Sequence, residues 1–475
     1  MMGLTLAATS WYANIVVYAM KKYNIKDISA AQFHNVVGGG VNFFPILAAI
    51  LADSLFGSYS VVLVSSFVSL LGAIMFTLSS AIPSLRPPRC TPTANSSCEP
   101  PSSLQYAFLY ATLAISMVGF GGTRFVLGAL GADQFKKPEH QRIFFNWFIF
   151  AIEASSVVGF TAIIYLQDKG KWTVSFGISA AVNAIAIALF LVGSRFYRLI
   201  LPQGSPFISI ARVVVASFRK TAGEKAQDQY YYGTPDTELL PTDRPTPSLR
   251  FFNRAALIKG EDHQQHSKPL KRSWKLCTVE EVEDLKKLMK ALPIWSGGIL
   301  LSTISGVAAS LVILQALAMD RNLSRGFEIP AASILVFPLI CGSIALTLLD
   351  RVVYPLWNKI FGHSLQPLKR IGTGYFLTLL SMVSFSLLER KRLNLMASNN
   401  DHMMPVLWLI LPLGLLGVAS SFYFPAELAF FYQELPKSLR STSASLASLH
   451  MAVGYYLSTV LLAWFKEVLL GYQMI

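Results

Sequence analysis

Residues 174–194 read Val174-Ser-Phe-Gly-Ile-Ser-Ala-Ala-Val-Asn-Ala-Ile-Ala-Ile-Ala-Leu-Phe-Leu-Val-Gly-Ser194, without a single charge. At about 1.5 Å of rise per residue, such a run crosses a hydrocarbon layer of about 30 Å as one helix. The same pattern recurs along the chain. Windows of about twenty residues place spans near 3–20, 31–52, 59–82, 105–130, 143–165 and 174–194, then near 291–318, 328–349, 371–388, 405–432 and 441–464. Of the 475 residues, 53% are apolar and 14% charged, with a mean hydropathy of +0.48. A soluble chain averages about 25% charged residues. This composition excludes a soluble enzyme, a disulfide-rich secreted domain and a disordered protein. The continuous apolar runs also exclude an outer-membrane barrel, whose strands alternate polar and apolar positions. The fold class is an all-α polytopic membrane protein.

The spans fall into two groups: an N-terminal bundle over 1–195, a hydrophilic linker over 196–290, and a C-terminal bundle over 291–475. Six spans followed by five is an odd arrangement. The two-bundle transporter architecture rocks equal halves about a central site, so a loop and a twelfth span are expected beyond Ile475. The abrupt start inside the first span likewise reads as a shortened amino terminus.

The net charge is +14, and the linker stretch from Arg195 to Lys290 holds 17 of the 40 basic residues against 11 acids. Basic segments beside a membrane mark its cytoplasmic side. No zinc-finger spacing or aromatic–basic motif accompanies the charge, which argues against nucleic acid. A cytoplasmic amino terminus puts both Asn-x-Ser/Thr sequons, at Asn95 and Asn322, in outward loops. Cys90 and Cys98 share one of those loops and are candidates for a disulfide. Cys277 and Cys341 read as reduced thiols. No Cys/His spacing suggests a metal, and no cofactor motif is present. The linker, with Tyr230-Tyr231-Tyr232, reads as a solvated tether with a lateral helix around 279–290.

Several motifs run in order from end to end: Ala52-Asp53-Ser54-Leu55-Phe56-Gly57, Gly121-Gly122-Thr123-Arg124-Phe125, Gly131-Ala132-Asp133-Gln134-Phe135, Phe144-Phe145-Asn146-Trp147, Trp274-Lys275-Leu276-Cys277-Thr278-Val279-Glu280, Leu292-Pro293-Ile294-Trp295 and Phe430-Phe431-Tyr432-Gln433-Glu434-Leu435-Pro436. With them the chain resembles the plant nitrate/peptide transporter family, also called the proton-dependent oligopeptide transporter family. Ile28-Ser29-Ala30-Ala31, Gly122-Thr123-Arg124-Phe125 and Pro425-Ala426 are most similar to its nitrate excretion transporters. The resemblance implies the major-facilitator fold, alternating access and outward movement of nitrate at the plasma membrane. It also implies that Asp53, Gly57, Asp133 and Gln134 belong to a conformational motif.

The sequence departs from the wider family at its carboxylates. Proton-coupled members carry Glu-x-x-Glu-Arg/Lys in the first span, where this chain has Met1, Leu4 and Thr5. A family glutamate of the tenth span is replaced by Ala429. Intramembrane carboxylates are costly and retained for function, so their loss argues for passive or weakly coupled transport.

Four side chains remain candidates for substrate binding or coupling. Arg124 offers a planar fork of donors suited to a flat oxyanion, or else snorkels to the cytoplasmic interface. Glu153 lies deep in the fifth span, on one helix face with Asn146 and Ser156. It reads as a static partner of Arg124, a titrating gate or a lipid-edge carboxylate. Glu427 reads as a polar interhelical contact or a compensating carboxylate. His34 reads as interfacial, and His450 is ambiguous. The Ser441-Thr442-Ser443-Ala444-Ser445 run reads as small residues at a helix interface.

A small anion, possible protons and the bilayer are the expected partners, and the oligomeric state is open. The competing readings are a proton symporter of peptides or plant metabolites, and a non-transporting sensor or inactive truncated product. No P-loop, zinc-protease helix or nucleophile elbow suggests an enzyme.

Overall fold

The computed structural model describes residues 1–25, 27–88, 99–199, 206–220, 230–232, 244–258, 274–324, 327–397, 403–436 and 439–473, without the side chains of 27–32, 206–207, 324, 327, 440 and 465–473. Cys90, Cys98 and Asn95 lie outside the described residues. The N-terminal bundle comprises α1 (Met2–Tyr12), α2 (Ile15–Tyr23), α3 (Asp27–Leu51), α4 (Ser58–Ala81), α5 (Ser103–Ala132), α6 (Pro138–Val158), α7 (Ile164–Asp168) and α8 (Trp172–Val192). The linker contributes α9 (Pro206–Arg219) and α10 (Arg250–Asn253). The second bundle comprises α11 (Val279–Leu317), α12 (Val336–Leu348), α13 (Tyr354–Phe361), α14 (Pro367–Ala397), α15 (Ile410–Glu434) and α16 (Arg440–Gln473).

Ten described helices are long and apolar enough to cross a membrane. They coincide with ten of the eleven expected spans. The first expected span is instead broken into α1 and α2 at Ala13-Asn14. The break is bridged by Gln167, whose amide nitrogen donates to the Ser10 carbonyl at 2.6 Å and whose oxygen accepts from the Asn14 amide at 2.9 Å. A polar side chain thus serves backbone that water cannot reach.

Within each bundle, small residues bring helix axes together, the packing device of apolar solvent. A Cβ on Gly119 of α5 would stand 2.2 Å from the Ser69 nitrogen of α4, and one on Gly417 of α15 would stand 2.1 Å from the Pro338 carbonyl of α12. Outward positions such as Leu300, Leu189 and Val64 remain largely exposed, as a lipid-facing surface requires. The bundles meet where α16 packs on α3 and α12 on α6.

The described part of the linker differs from the expected tether. Val213, Ala216, Ala255, Ala256, Cys277, Val279, Val282 and Leu285 form a small core of their own. Two of its buried cations are paired: Arg212 with Glu281 at 3.1 Å, and Lys286 with Glu283 at 2.6 Å while donating to the Thr246 carbonyl. The lateral helix expected around 279–290 is the first part of α11, so the 290/291 boundary falls inside one continuous helix. Its start is a capping box between Thr278 and Glu281. On the opposite end of the bundle, exposed Asn322 sits in a two-stranded hairpin, β1 (Asn322–Ser324) with β2 (Phe327–Glu328).

Candidate functional site

Side chains from both bundles enclose a cavity of about 360 Å³. Arg124 enters it from α5. Its Nη1 donates to Asn42 Oδ1 of α3 at 3.3 Å, and the guanidinium carbon lies 5.2 Å from the Phe125 ring centroid. Among the described residues no carboxylate stands within ion-pair distance of it. Glu153 of α6 lines the same cavity, 8% exposed. Its Oε2 accepts the Ser343 hydroxyl of α12 at 3.3 Å. Gly342, whose absent Cβ would stand 3.1 Å from Glu153 Oε1, leaves room for that reach. The static Arg124–Glu153 pair is therefore not formed: α3 holds one head group and α12 the other.

Thr5 lines the cavity with a hydroxyl that has no partner among the described residues. His34 corrects the interfacial reading. It is buried, its ring stacks on Tyr12 at 5.3 Å, and it too lines the cavity. A position count along the sequence could not show that α1 covers this end of α3. Ser156 joins Glu153 at the cavity wall, whereas Asn146 does not. The Asn146 amide donates to Asp350 Oδ1 at 2.8 Å, and Arg370 Nη2 donates to its oxygen at 3.5 Å. The helix face shared by Asn146 and Glu153 thus runs along one span, Ala331–Phe361, meeting it at Asp350 and at Ser343.

The end of the cavity facing the linker is closed by contacts between the bundles. Asp53 Oδ1 accepts the backbone N–H of Ser441 at 3.2 Å, and Oδ2 accepts both the N–H and the hydroxyl of Thr442 at 2.7 and 2.8 Å. A carboxylate of one bundle thus caps the first helix turn of α16 in the other, where free N–H groups and the helix dipole favour negative charge. Gly57, with φ 77°, makes the turn from this segment into α4, a conformation glycine adopts without penalty. Asp133 Oδ1 accepts the Tyr432 hydroxyl at 2.7 Å, and the Gln433 amide donates to the Pro138 carbonyl at 2.8 Å. Gln134 ties the first bundle to the start of the linker, exchanging hydrogen bonds with the backbone of Arg198. Asp350 and Arg370, which the sequence reading did not single out, belong to this closed end. Charges at the edge of apolar runs were their only signal.

The family model of the POT family matches residues 59–473. The chain belongs to the POT family. Among curated POT-family relatives, it is 41% identical to "Protein NRT1/ PTR FAMILY 2.5" of Arabidopsis thaliana over 465 residues, covering 97% of this chain and 83% of that protein. It is therefore a plant NRT1/PTR-type transporter. Among solved structures it superimposes on the POT family transporter PepTSo with a TM-score of 0.69 at 18% identity, over 100% of this chain and 91% of that one. A POT family transporter in complex with 5-aminolevulinic acid gives 0.63 at 12% identity, over 98% and 90%. These likenesses confirm the major-facilitator fold.

Glu427 of this POT-family chain lies outside the cavity, in the interior of the second bundle, 1% exposed. It accepts the Tyr375 hydroxyl of α14 at 2.6 Å, and His450 Nε2 of α16 lies 3.2 Å from its other oxygen. His450 Nδ1 meets the Ser302 hydroxyl of α11 at 3.0 Å. Neither Tyr375 nor Ser302 stands out in the sequence, because nothing local marks which hydroxyls face a group 52 or 148 positions away.

Proposed function

We propose that this protein moves nitrate or a similar small anion across the plasma membrane by alternating access, passively or with weak proton coupling, mainly outward. The observation that carries the reading is Arg124: a guanidinium inside the cavity, held by neutral Asn42, with no carboxylate paired to it among the described residues. A buried cation without a counter-ion favours an anionic guest, and the flat fork of Arg matches a flat oxyanion two bonds at a time. The cavity is at the lower end of the volumes small-molecule sites occupy, about 300–1,000 Å³. The cap on α16 and the Asp133–Tyr432 bond supply a closed state for the linker end of such a cycle. Passive or weak coupling rests on Thr5 and Ala429 standing where proton-coupled relatives carry charged groups. Direction and membrane rest on the resemblance to the nitrate excretion group.

One observation favours a second reading. Glu153 shares the cavity with Arg124, so a small zwitterion could place its carboxylate on Arg124 and its ammonium on Glu153. The solved POT family transporter holding 5-aminolevulinic acid lends support to this alternative.

Labelled-substrate counterflow in proteoliposomes separates the two. The anion reading expects nitrate exchange that Arg124→Gln strongly weakens and Glu153→Gln preserves. Exchange of a dipeptide or of 5-aminolevulinic acid that needs both residues, without nitrate exchange, overturns it.

A further inference from the structure

Four helices of the second bundle converge on one buried charged cluster that the transport reading leaves unused. Its members are Tyr375 of α14, Glu427 of α15, His450 of α16 and Ser302 of α11, in a continuous hydrogen-bonded chain. Gly298 leaves space for the imidazole, since a Cβ there would stand 2.9 Å from its Cδ2. We propose that Glu427 and His450 form a proton-binding site, and that an anion in the cavity favours its protonation; the second half of this statement rests on the anion reading above.

The argument is one of charge and donor count. With His450 neutral, its Nε2–H donates to Glu427, its Nδ1 accepts the Ser302 O–H, and the cluster carries one negative charge. A proton arriving on Nδ1 turns the imidazole into a double donor, and the Ser302 hydroxyl rotates from donor to acceptor. Every hydrogen bond survives, and the cluster becomes a neutral ion pair. Because a lone buried charge is costly where a paired one is tolerated, the site has a reason to bind a proton and a geometry that accepts it.

The surroundings leave the proton to these two groups. The titratable neighbours are the Tyr375 phenol and, packed on it at 5.9 Å between ring centroids, the Tyr423 phenol of α15. No Lys or Arg among the described residues forms an ion pair with Glu427 or His450. From the first bundle, Asn42 of α3 faces α16, its carbonyl accepting the Ser448 hydroxyl at 2.6 Å, and its side-chain oxygen is the one that holds Arg124. Tyr423 and Met451, next to the cluster, line the cavity that contains Arg124 and Glu153. Proton site and anion site therefore share a wall. An anion in the cavity disfavours the negative state of the cluster and draws in the proton.

Two measurements on purified full-length chain in nanodiscs test this. The first is nitrate affinity against pH: one linked proton weakens binding by up to about tenfold per unit above the midpoint of the site. That slope becomes flat in His450→Gln and in Glu427→Gln. The second needs no substrate. Infrared difference spectra between about pH 5 and pH 8, with ring-labelled histidine, show an imidazolium band that His450→Gln removes. Should His450→Gln fail to fold, Ser302→Ala keeps both titrating side chains and moves the midpoint of that band; an unmoved midpoint overturns the role given to the cluster. Nitrate binding with the same pH slope in wild type and His450→Gln, or spectra without a His450 band, overturns the proton site. A His450 band in a protein that binds no nitrate at any pH overturns the anion reading and the coupling, and leaves the proton site standing.

Discussion

At the scale of single residues, the cavity carries one cation and one carboxylate held apart by neutral partners. Replacing Arg124 with Gln removes a charge-assisted bond of about 1.5–3 kcal/mol, so nitrate affinity in counterflow should fall roughly 10- to 150-fold. Arg124→Lys should recover only part of this, because an ammonium lacks the planar fork. Outside the membrane, the Cys277 thiol is pushed up to about 11 by burial and then by nearby Glu281. Only the thiolate reacts with a maleimide, and its fraction rises with pH toward that value. Native Cys277 should therefore stay unlabelled near neutrality and label only above about pH 10 or after unfolding; rapid labelling of folded protein at pH 7.5 contradicts the folded linker. The sequence made Arg124 and Glu153 visible because a charge inside an apolar run has few structural uses. What each charge touches was not visible. Ser343 lies 190 positions from Glu153, and Asp350 lies 204 positions from Asn146. Such partners follow from bundle geometry and leave no local pattern.

At the scale of helices, the expected spans matched the helices because hydropathy and length are local properties. The break at Asn14 was hidden, since an apolar window has the same mean whether or not one turn opens. The Asp53 cap on α16 is the contact whose loss should bias the cycle. Asp53→Ala removes an N-cap worth roughly 0.5–2 kcal/mol, equivalent to a two- to thirty-fold shift toward the state open at the linker end. Spin-label distances across that end should lengthen accordingly; an unchanged distance distribution contradicts the capping role. Close helix packing gives a paired prediction. Gly417→Ala drives a methyl into the Pro338 carbonyl and should cost about 1–3 kcal/mol, lowering the midpoint of thermal unfolding. Gly372→Ala on α14, with nothing within 4 Å of the added carbon, should leave it unchanged or slightly raised, since alanine favours helix by up to about 1 kcal/mol.

At the scale of the whole molecule, two bundles enclose a largely apolar cavity around Arg124 and Glu153, and a set of hydrogen bonds joins them at the linker end. Asp53 with Ser441 and Thr442, Asp133 with Tyr432, and Asn146 with Asp350 are held by different helices. Sites far apart with no shared partner add their effects, so Asp53→Ala combined with Asp133→Ala should open that end by the sum of the two single shifts in free energy. A double variant no more open than either single one shows that the bonds form one cooperative lock.

The linker core adds a mechanical consequence. Because α11 runs from that core into the second bundle as one helix, with Pro293 just past the core, its outer dozen residues, Val279 to Lys290, form an arm about 18 Å long. Every ten degrees by which the second bundle tilts carries the tip of that arm through about 3 Å. The segment joining the halves is thus a crank, geared to the stroke of the transporter, and whatever grips it also grips the engine.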